Sequence, residues 1–236
     1  MSRFVVWAAG LAATALLAGC GAPIAPDRPF VGAAPTSGVS QVEPARPSAS
    51  GEPPIQVVRG EGALVEPVAR IEALAADPRT ADVIRGTVSA TEDFCSHGAG
   101  YRLLTIRPTW SATRLPSEPI TVIEDGGIVP AKCLAEVVDG KSDTPATFDQ
   151  NDMVDFQVEG HPHTERGAEV IVFVDGERRD SFGASRRLVT GIQGLLVRVG
   201  DEFVRPVLDT PEARSAGIES SIAVAGVEAR LKSASR

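Results

Sequence analysis

The sequence predicts a mainly β, β-rich α+β fold: a small antiparallel barrel with a short N-terminal helix and a C-terminal helix. Three observations carry this reading. Seven or eight short runs of β-branched and other apolar residues alternate with turn residues along most of the chain. Helical periodicity is confined to two places. With 43% apolar and 23% charged residues in 236, the chain has the composition of an ordinary globular protein, long enough to bury a core without a metal staple.

The elements follow in chain order. Glu66–Ala76 places Pro67 at a first-turn position and Val68, Ile71, Leu74 and Ala75 on one face, the pattern of a short amphipathic helix that Asp77-Pro78 stops. Strands are expected at Val83–Ser89, Tyr101–Arg107, Pro119–Glu124, Met153–Val158, Ala168–Val174 and Arg187–Thr190. Leu195–Val199 and Glu202–Pro206 flank Gly200-Asp201 and read as a tight hairpin. Thr210-Pro211-Glu212 has the form of a helix start, followed by Ile218, Ile222, Ala225 and Leu231 at weakly helical spacing. No internal repeat is detectable.

Ahead of this domain the chain has a different texture. Arg3 precedes the unbroken apolar stretch Phe4–Leu17, which suits an export signal and falls short of the roughly 20 residues that span a bilayer. The stretch ends in Leu17-Ala18-Gly19-Cys20, a branched apolar residue and two small residues before a cysteine. This resembles the lipobox of bacterial lipoproteins. The resemblance covers only the first 20 residues and implies that 1–19 are a signal peptide, that the Cys20 sulfur is acylated (diacylglyceryl, with palmitate-type chains), and that the mature chain begins at Cys20. Several acyl chains anchor stably where one is marginal. Loss of Arg3 takes the net charge from −8 to −9. Residues 20–54 read as a disordered tether: eight of the 18 prolines fall there among Ala, Ser and Gly, too little apolar surface to offset the entropy of ordering. Residues 55–236 then form a single β-rich domain, held at the extracytoplasmic face of the cell membrane.

A second, fainter resemblance covers roughly residues 81–205. The order Ala81–Val88, Tyr101–Ile106, Ile120–Val122 and Arg166–Val174 is similar to that of netrin-like domains and of uncharacterised actinobacterial envelope lipoproteins, which implies an OB-like barrel. The N-terminal cysteine motif and several disulfides of netrin-like inhibitors are absent, so protease inhibition does not carry over.

With 31 acidic against 23 basic residues, the charge balance disfavours a sequence-independent grip on nucleic acid through phosphate neutralisation. After lipidation of Cys20 the remaining Cys95 and Cys133 are an even pair in an oxidising compartment, which predicts one disulfide. The alternative is metal. Cys95-x-His97 and His161-x-His163 hold all three histidines; on a strand, positions two apart share a face, and imidazole with thiolate suits Zn or Cu. Pro162 argues for a loop there. No catalytic motif appears: Gly183-Ala184-Ser185 is followed by Arg186-Arg187 where a nucleophile elbow needs glycine, and neither H-E-x-x-H nor a P-loop occurs. The acidic residues Glu124, Asp125, Asp152, Asp155, Asp175 and Glu177 single out no pair. One reversal of charge remains: Arg178, Arg179, Arg186 and Arg187 around Phe182, in an expected loop where contacts with an acidic wall polymer or an envelope protein would concentrate. The function expected is therefore a membrane-anchored, non-enzymatic lipoprotein without cofactor that presents a binding domain, with extracytoplasmic Zn or Cu binding through His161 and His163, aided by His97, as the alternative.

Overall fold

The computed structural model describes residues 42–43, 55–60, 68–134, 149–158, 161–180, 183–205 and 217–235, all within one compact unit spanning Pro35–Arg236. Cys20, the export signal and Phe182 lie outside them, as does the tether of residues 20–54 apart from Val42–Glu43. Among the described residues no helix is long and apolar enough to cross a membrane.

The architecture is mainly β. Among the described residues two sheets contain thirteen strands: β1 (Val42–Glu43), β2 (Gln56–Gly60), β3 (Asp82–Ser96), β4 (Ala99–Ser111), β5 (Ile120–Asp125), β6 (Gly127–Pro130), β7 (Met153–Val158), β8 (Glu169–Val174), β9 (Arg178–Asp180), β10 (Gly183–Arg187), β11 (Leu195–Val199), β12 (Glu202–Val204) and β13 (Ser221–Ala223). The larger sheet has the order β13-β12-β11-β8-β3-β4-β5-β10-β9 and the smaller β1-β2-β7-β6. Among the described residues two α-helices complete it, α1 (Ile71–Ala75) and α2 (Val227–Ala234).

The expected mainly β fold is present, and the expected antiparallel barrel is realised only in part. The sheets are open, and two pairings are parallel, β5 with β10 and β2 with β7. What exists is a curl within the large sheet. Beyond β10, Leu188 bridges Val174 of β8, Asp175 N–H donates to Arg187 O (3.0 Å) and Val189 N–H to Phe173 O (2.8 Å). The strands β8-β3-β4-β5-β10 thus return almost onto themselves, the arrangement of a partly open five-stranded Greek-key barrel.

Alternation explains why the central strands are apolar throughout. In β8 the residues Val170, Val172 and Val174 point into the curl with Ile84, Val88, Leu104, Ile106, Ile120, Val122, Leu188 and Leu195. Ile171 and Phe173 point the other way, into a second core with Val83, Leu196, Phe203 and the inward faces of both helices. Complete burial of a side chain such as Phe173 or Phe203 contributes about 2–3 kcal/mol. Helix α1 is too short to persist alone. It is held by Ile71, Leu74 and Ala75 in that core, by Glu219 accepting Ile71 N–H (2.8 Å), and by Gln193 accepting the preceding Val68 N–H (2.9 Å). The fully buried Arg205, whose pKa burial lowers to about 10, donates to Val68 O (2.7 Å). At the other end the expected C-terminal helix is present; its expected start at Thr210-Pro211-Glu212 lies outside the described residues, Ile222 belongs to β13, paired with β12, and a helix follows Gly226 (φ +77).

The expected strands at Val83 and Tyr101 are the roots of one long hairpin, β3–β4, which turns at His97 and Gly98 (φ +50 and +75) as a two-residue type I′ loop demands. Its distal half leaves the curl and lies over the small sheet, whose own core is Val58, Val129, Leu134, Val154, Phe156 and Val158. Gly100 permits this approach, since a Cβ there would sit 3.1 Å from Val129 Cγ2. Nearer the root, Gly86 marks a register shift where a Cβ would strike Arg107 O and come within 2.6 Å of Ile106 Cγ2. Gly86→Ala is therefore expected to cost about 2 kcal/mol in urea unfolding, because backbone must move. Finally, Cys95 and Cys133 form the expected disulfide, with Cα atoms 5.8 Å apart, which fastens the hairpin tip to the turn after β6.

Candidate functional site

The outward face of the distal hairpin carries the most distinctive surface chemistry. Phe94 and Tyr101 are directly opposed on β3 and β4, and their rings stack with centroids 5.4 Å apart and planes 22° from parallel. Tyr101 is in turn opposed to Asp125 at the end of β5. Parallel pairing of β10 to β5 sets Arg187 beside Ile123, so its guanidinium neighbours Asp125 on the same face. The result is an aromatic platform, a phenol, a carboxylate and a cation on four adjacent strands.

The framework holds each of these groups. Phe94 adjoins the disulfide at Cys95. Asp125 leads into Gly126 (φ +99), which bonds back to Gly100 O (3.0 Å) and where a Cβ would collide with Phe156 O and the His163 ring. The Arg187 backbone is fixed on both sides, its N–H donating to Asp175 Oδ1 (2.9 Å) and its carbonyl accepting from Asp175 N–H. Beside Asp125 the chain takes two consecutive left-handed residues, Thr190 (φ +61) and Gly191 (φ +58). A buried β-branched residue in that region stores about 1–3 kcal/mol of strain. A Cβ at Gly191 would lie 3.3 Å from Asp125 Oδ2.

Electrostatics follow from burial. Burial raises the Asp125 pKa, opposed by the Arg187 charge, and raises that of Tyr101, with Asp125 adding to the rise and Arg187 opposing it. The Arg187 charge acts on Asp125 through space.

On the inward side of the same strands lies a polar layer between the curl's core and the small sheet's core. Asp93, Arg102 and Glu124 are opposed across β3, β4 and β5. Arg102 donates two bonds to Asp93 (2.6 and 2.9 Å), which keep the guanidinium charged against the cost of burial. Glu124 is 2% exposed and accepts from Thr164 Oγ1 (2.7 Å) and Thr164 N–H. Burial nevertheless raises its pKa. His163 Nε2 lies 2.7 Å from Asp155 Oδ1, and that contact overcomes burial to lower the Asp155 pKa.

The residues expected to bind are distributed differently from the sequence reading. The arginine segment is a hairpin, β9–β10, where a loop was expected. Arg178 is paired with Asp175 (3.0 Å), Arg186 turns a buried Nε toward the curl, Arg179 is exposed, and only Arg187 joins the aromatic platform. For the metal alternative, the disulfide occupies Cys95 and Cys133, His97 sits in the exposed turn, and His163 is engaged by Asp155. Among the described residues no group of three or more His, Cys, Asp or Glu side chains is placed to hold an ion.

His161 is half-buried with Nδ1 lacking a hydrogen-bond partner, and burial lowers its pKa to about 4. A group whose folded pKa is depressed gives up stability as pH falls from its unfolded value, about 6.5, toward 4. Glu124 and Asp125, raised by burial, act in the opposite sense on acidification. The expected result is that His161→Gln loses less stability than wild type between pH 6.5 and 4, read as the difference between their thermal midpoints.

No family model, curated protein or solved structure matches this chain.

Proposed function

We propose that the chain is a membrane-anchored envelope lipoprotein that carries its β domain on a Pro-rich tether and binds a partner at the cell surface, without catalysis and without nucleic acid. The Leu17-Ala18-Gly19-Cys20 motif after an apolar segment supports the anchor, and the prolines of residues 20–54 support the spacer. The observation that carries the binding reading is the Phe94, Tyr101, Asp125 and Arg187 face, which is chemically mixed and held by a disulfide and a paired backbone.

The experiment uses the full chain in an export-competent host. Wild type should incorporate a palmitate analogue and fractionate with membranes, and Cys20→Ala should do neither. A photo-crosslinking residue at Leu103, beside the platform, should capture envelope material, and the combined Asp125→Asn and Arg187→Ala substitutions should abolish capture. Capture that persists in the double variant would move the binding surface elsewhere.

A further inference from the structure

We propose that the Cys95–Cys133 disulfide is a thiol-exchange site, at which an external thiolate adds to Cys95 and unfastens the tip of the long hairpin from the small sheet. Three observations carry the assignment. First, the two halves of the bond differ in access. Cys95, two residues before the turn at His97, is exposed, whereas Cys133 is half-buried and packs against the apolar core of the small sheet. Exchange requires a thiolate to reach one of the two sulfurs, and the open approach is to Cys95.

Second, each half is held by bonds of its own. Cys95 sits in the β3–β4 ladder opposite Gly100, whose carbonyl accepts Gly126 N–H (3.0 Å). Cys133 belongs to the short 3-10 helix Ala131–Leu134, fastened by the buried Leu134 and by Ala131 N–H and Lys132 N–H, which donate to Asp152 O (2.8 Å) and Gln150 O (2.9 Å). The Cα atoms lie 5.8 Å apart, and these bonds keep the two residues close when the sulfurs part. Third, the bond joins elements with separate cores. The hairpin is rooted in the curl through Ile84, Val88, Leu104 and Ile106, while Val129, Leu134 and Phe156 belong to the small sheet. Opening the bond loosens the tip and dissolves neither core. Exposed disulfides are the ones that exchange, whereas structural bonds of exported proteins resist reduction.

The chemistry balances with a monothiol as co-reactant. Its thiolate sulfur bonds to Cys95 Sγ as the bond between the two cysteines breaks, and the electron pair leaves on Cys133 Sγ, which takes a proton from water. Reduced Cys133 then rests against the small-sheet core as a small apolar side chain. A second thiolate attacks the external sulfur of the mixed disulfide, Cys95 leaves as a thiolate, and the two external sulfurs depart as their own disulfide. Reversal needs only an external disulfide.

The test incubates the full chain, in detergent micelles at mildly alkaline pH, with reduced glutathione, quenches with acid at intervals and locates adducts by peptide mass spectrometry. The early adduct is expected on Cys95, in about tenfold excess over Cys133, because access decides which sulfur is attacked. Its rate should be the same in water and in urea below the unfolding transition, since attack on an exposed sulfur needs no unfolding. In the reduced chain, amide exchange should quicken at residues 96–100 while Val172 of β8 keeps its protection, and oxidised glutathione should restore the bond. A first adduct on Cys133, no adduct on Cys95 in water, or a rate that climbs with urea in step with the unfolded fraction would overturn the assignment. Loss of protection at Val172 on reduction would overturn it too, by showing that the bond staples the whole fold.

Discussion

Arg102→Ala should destabilise the domain by about 3–5 kcal/mol, read in urea unfolding at neutral pH. Arg102 is 5% exposed, and its guanidinium is the positive member of a row in which Asp93 and Glu124 flank it on neighbouring strands. Removing it leaves two carboxylates at the boundary between apolar cores without their cation, and a buried charge stripped of its partner costs far more than the pair is worth intact. The loss should depend on pH. Without Arg102 the Glu124 carboxyl, already raised by burial, loses a charge that lowers it, and a raised folded pKa stabilises at low pH, so the variant should recover relative to wild type on acidification. A triple variant with Asp93→Asn, Arg102→Met and Glu124→Gln removes the charges together and should regain much of the loss. Equal destabilisation in single and triple variants would mean that Arg102 contributes through packing.

Removal of the disulfide by paired Cys95→Ser and Cys133→Ser should cost about 4 kcal/mol on the chain-entropy account, given a sequence separation of 38. The bond joins the tip of the long hairpin to the turn after β6, so the loss should be uneven in space. Hydrogen exchange should quicken most at the distal residues of β3 and β4 and in β6, and least in β8, buried on both faces. Uniform acceleration would show that the two sheets unfold as one unit, the bond acting on the denatured chain alone.

Much of the fold was legible, and the failures have identifiable causes. The run Glu169–Val174 reads as a strand because both its faces are covered, and the Gly200-Asp201 hairpin forms as its turn chemistry demands. The distal half of β3 was missed because Thr91, Glu92 and Asp93 break the alternation of apolar residues. Asp93 and Arg102 point inward yet are polar, since they meet across a pair of strands and are capped by a second sheet rather than by water. The terminal segment around Ile222 carried a helical period too weak to outweigh pairing with β12.

The candidate site divides in the same way. The stacked Phe94 and Tyr101 could have been found by counting outward equally from the His97-Gly98 turn. Asp125 and Arg187 could not have been paired, because they meet only through the parallel pairing of β10 with β5. The arginine cluster drew attention as a charge run, while one member of it matters to the face and another is fixed by Asp175.

The parallel register of β2 with β7 has a mechanical consequence. Residues Gln56 to Gly60 align with Val154 to Val158, while β6 runs antiparallel to β7 with Pro130 opposite Met153, so tension entering from the N-terminal side of Gln56 leaves toward Cys133 at the same end of the small sheet. The interstrand bonds are then loaded from one end and yield one rung at a time. From β7 the tension passes to β6, and through the covalent Cys95–Cys133 link to the hairpin bearing Phe94 and Tyr101. The curl of the large sheet lies off this route, so a pull between the N-terminal side and the aromatic platform would be resisted by the small sheet while the main core stays unstressed.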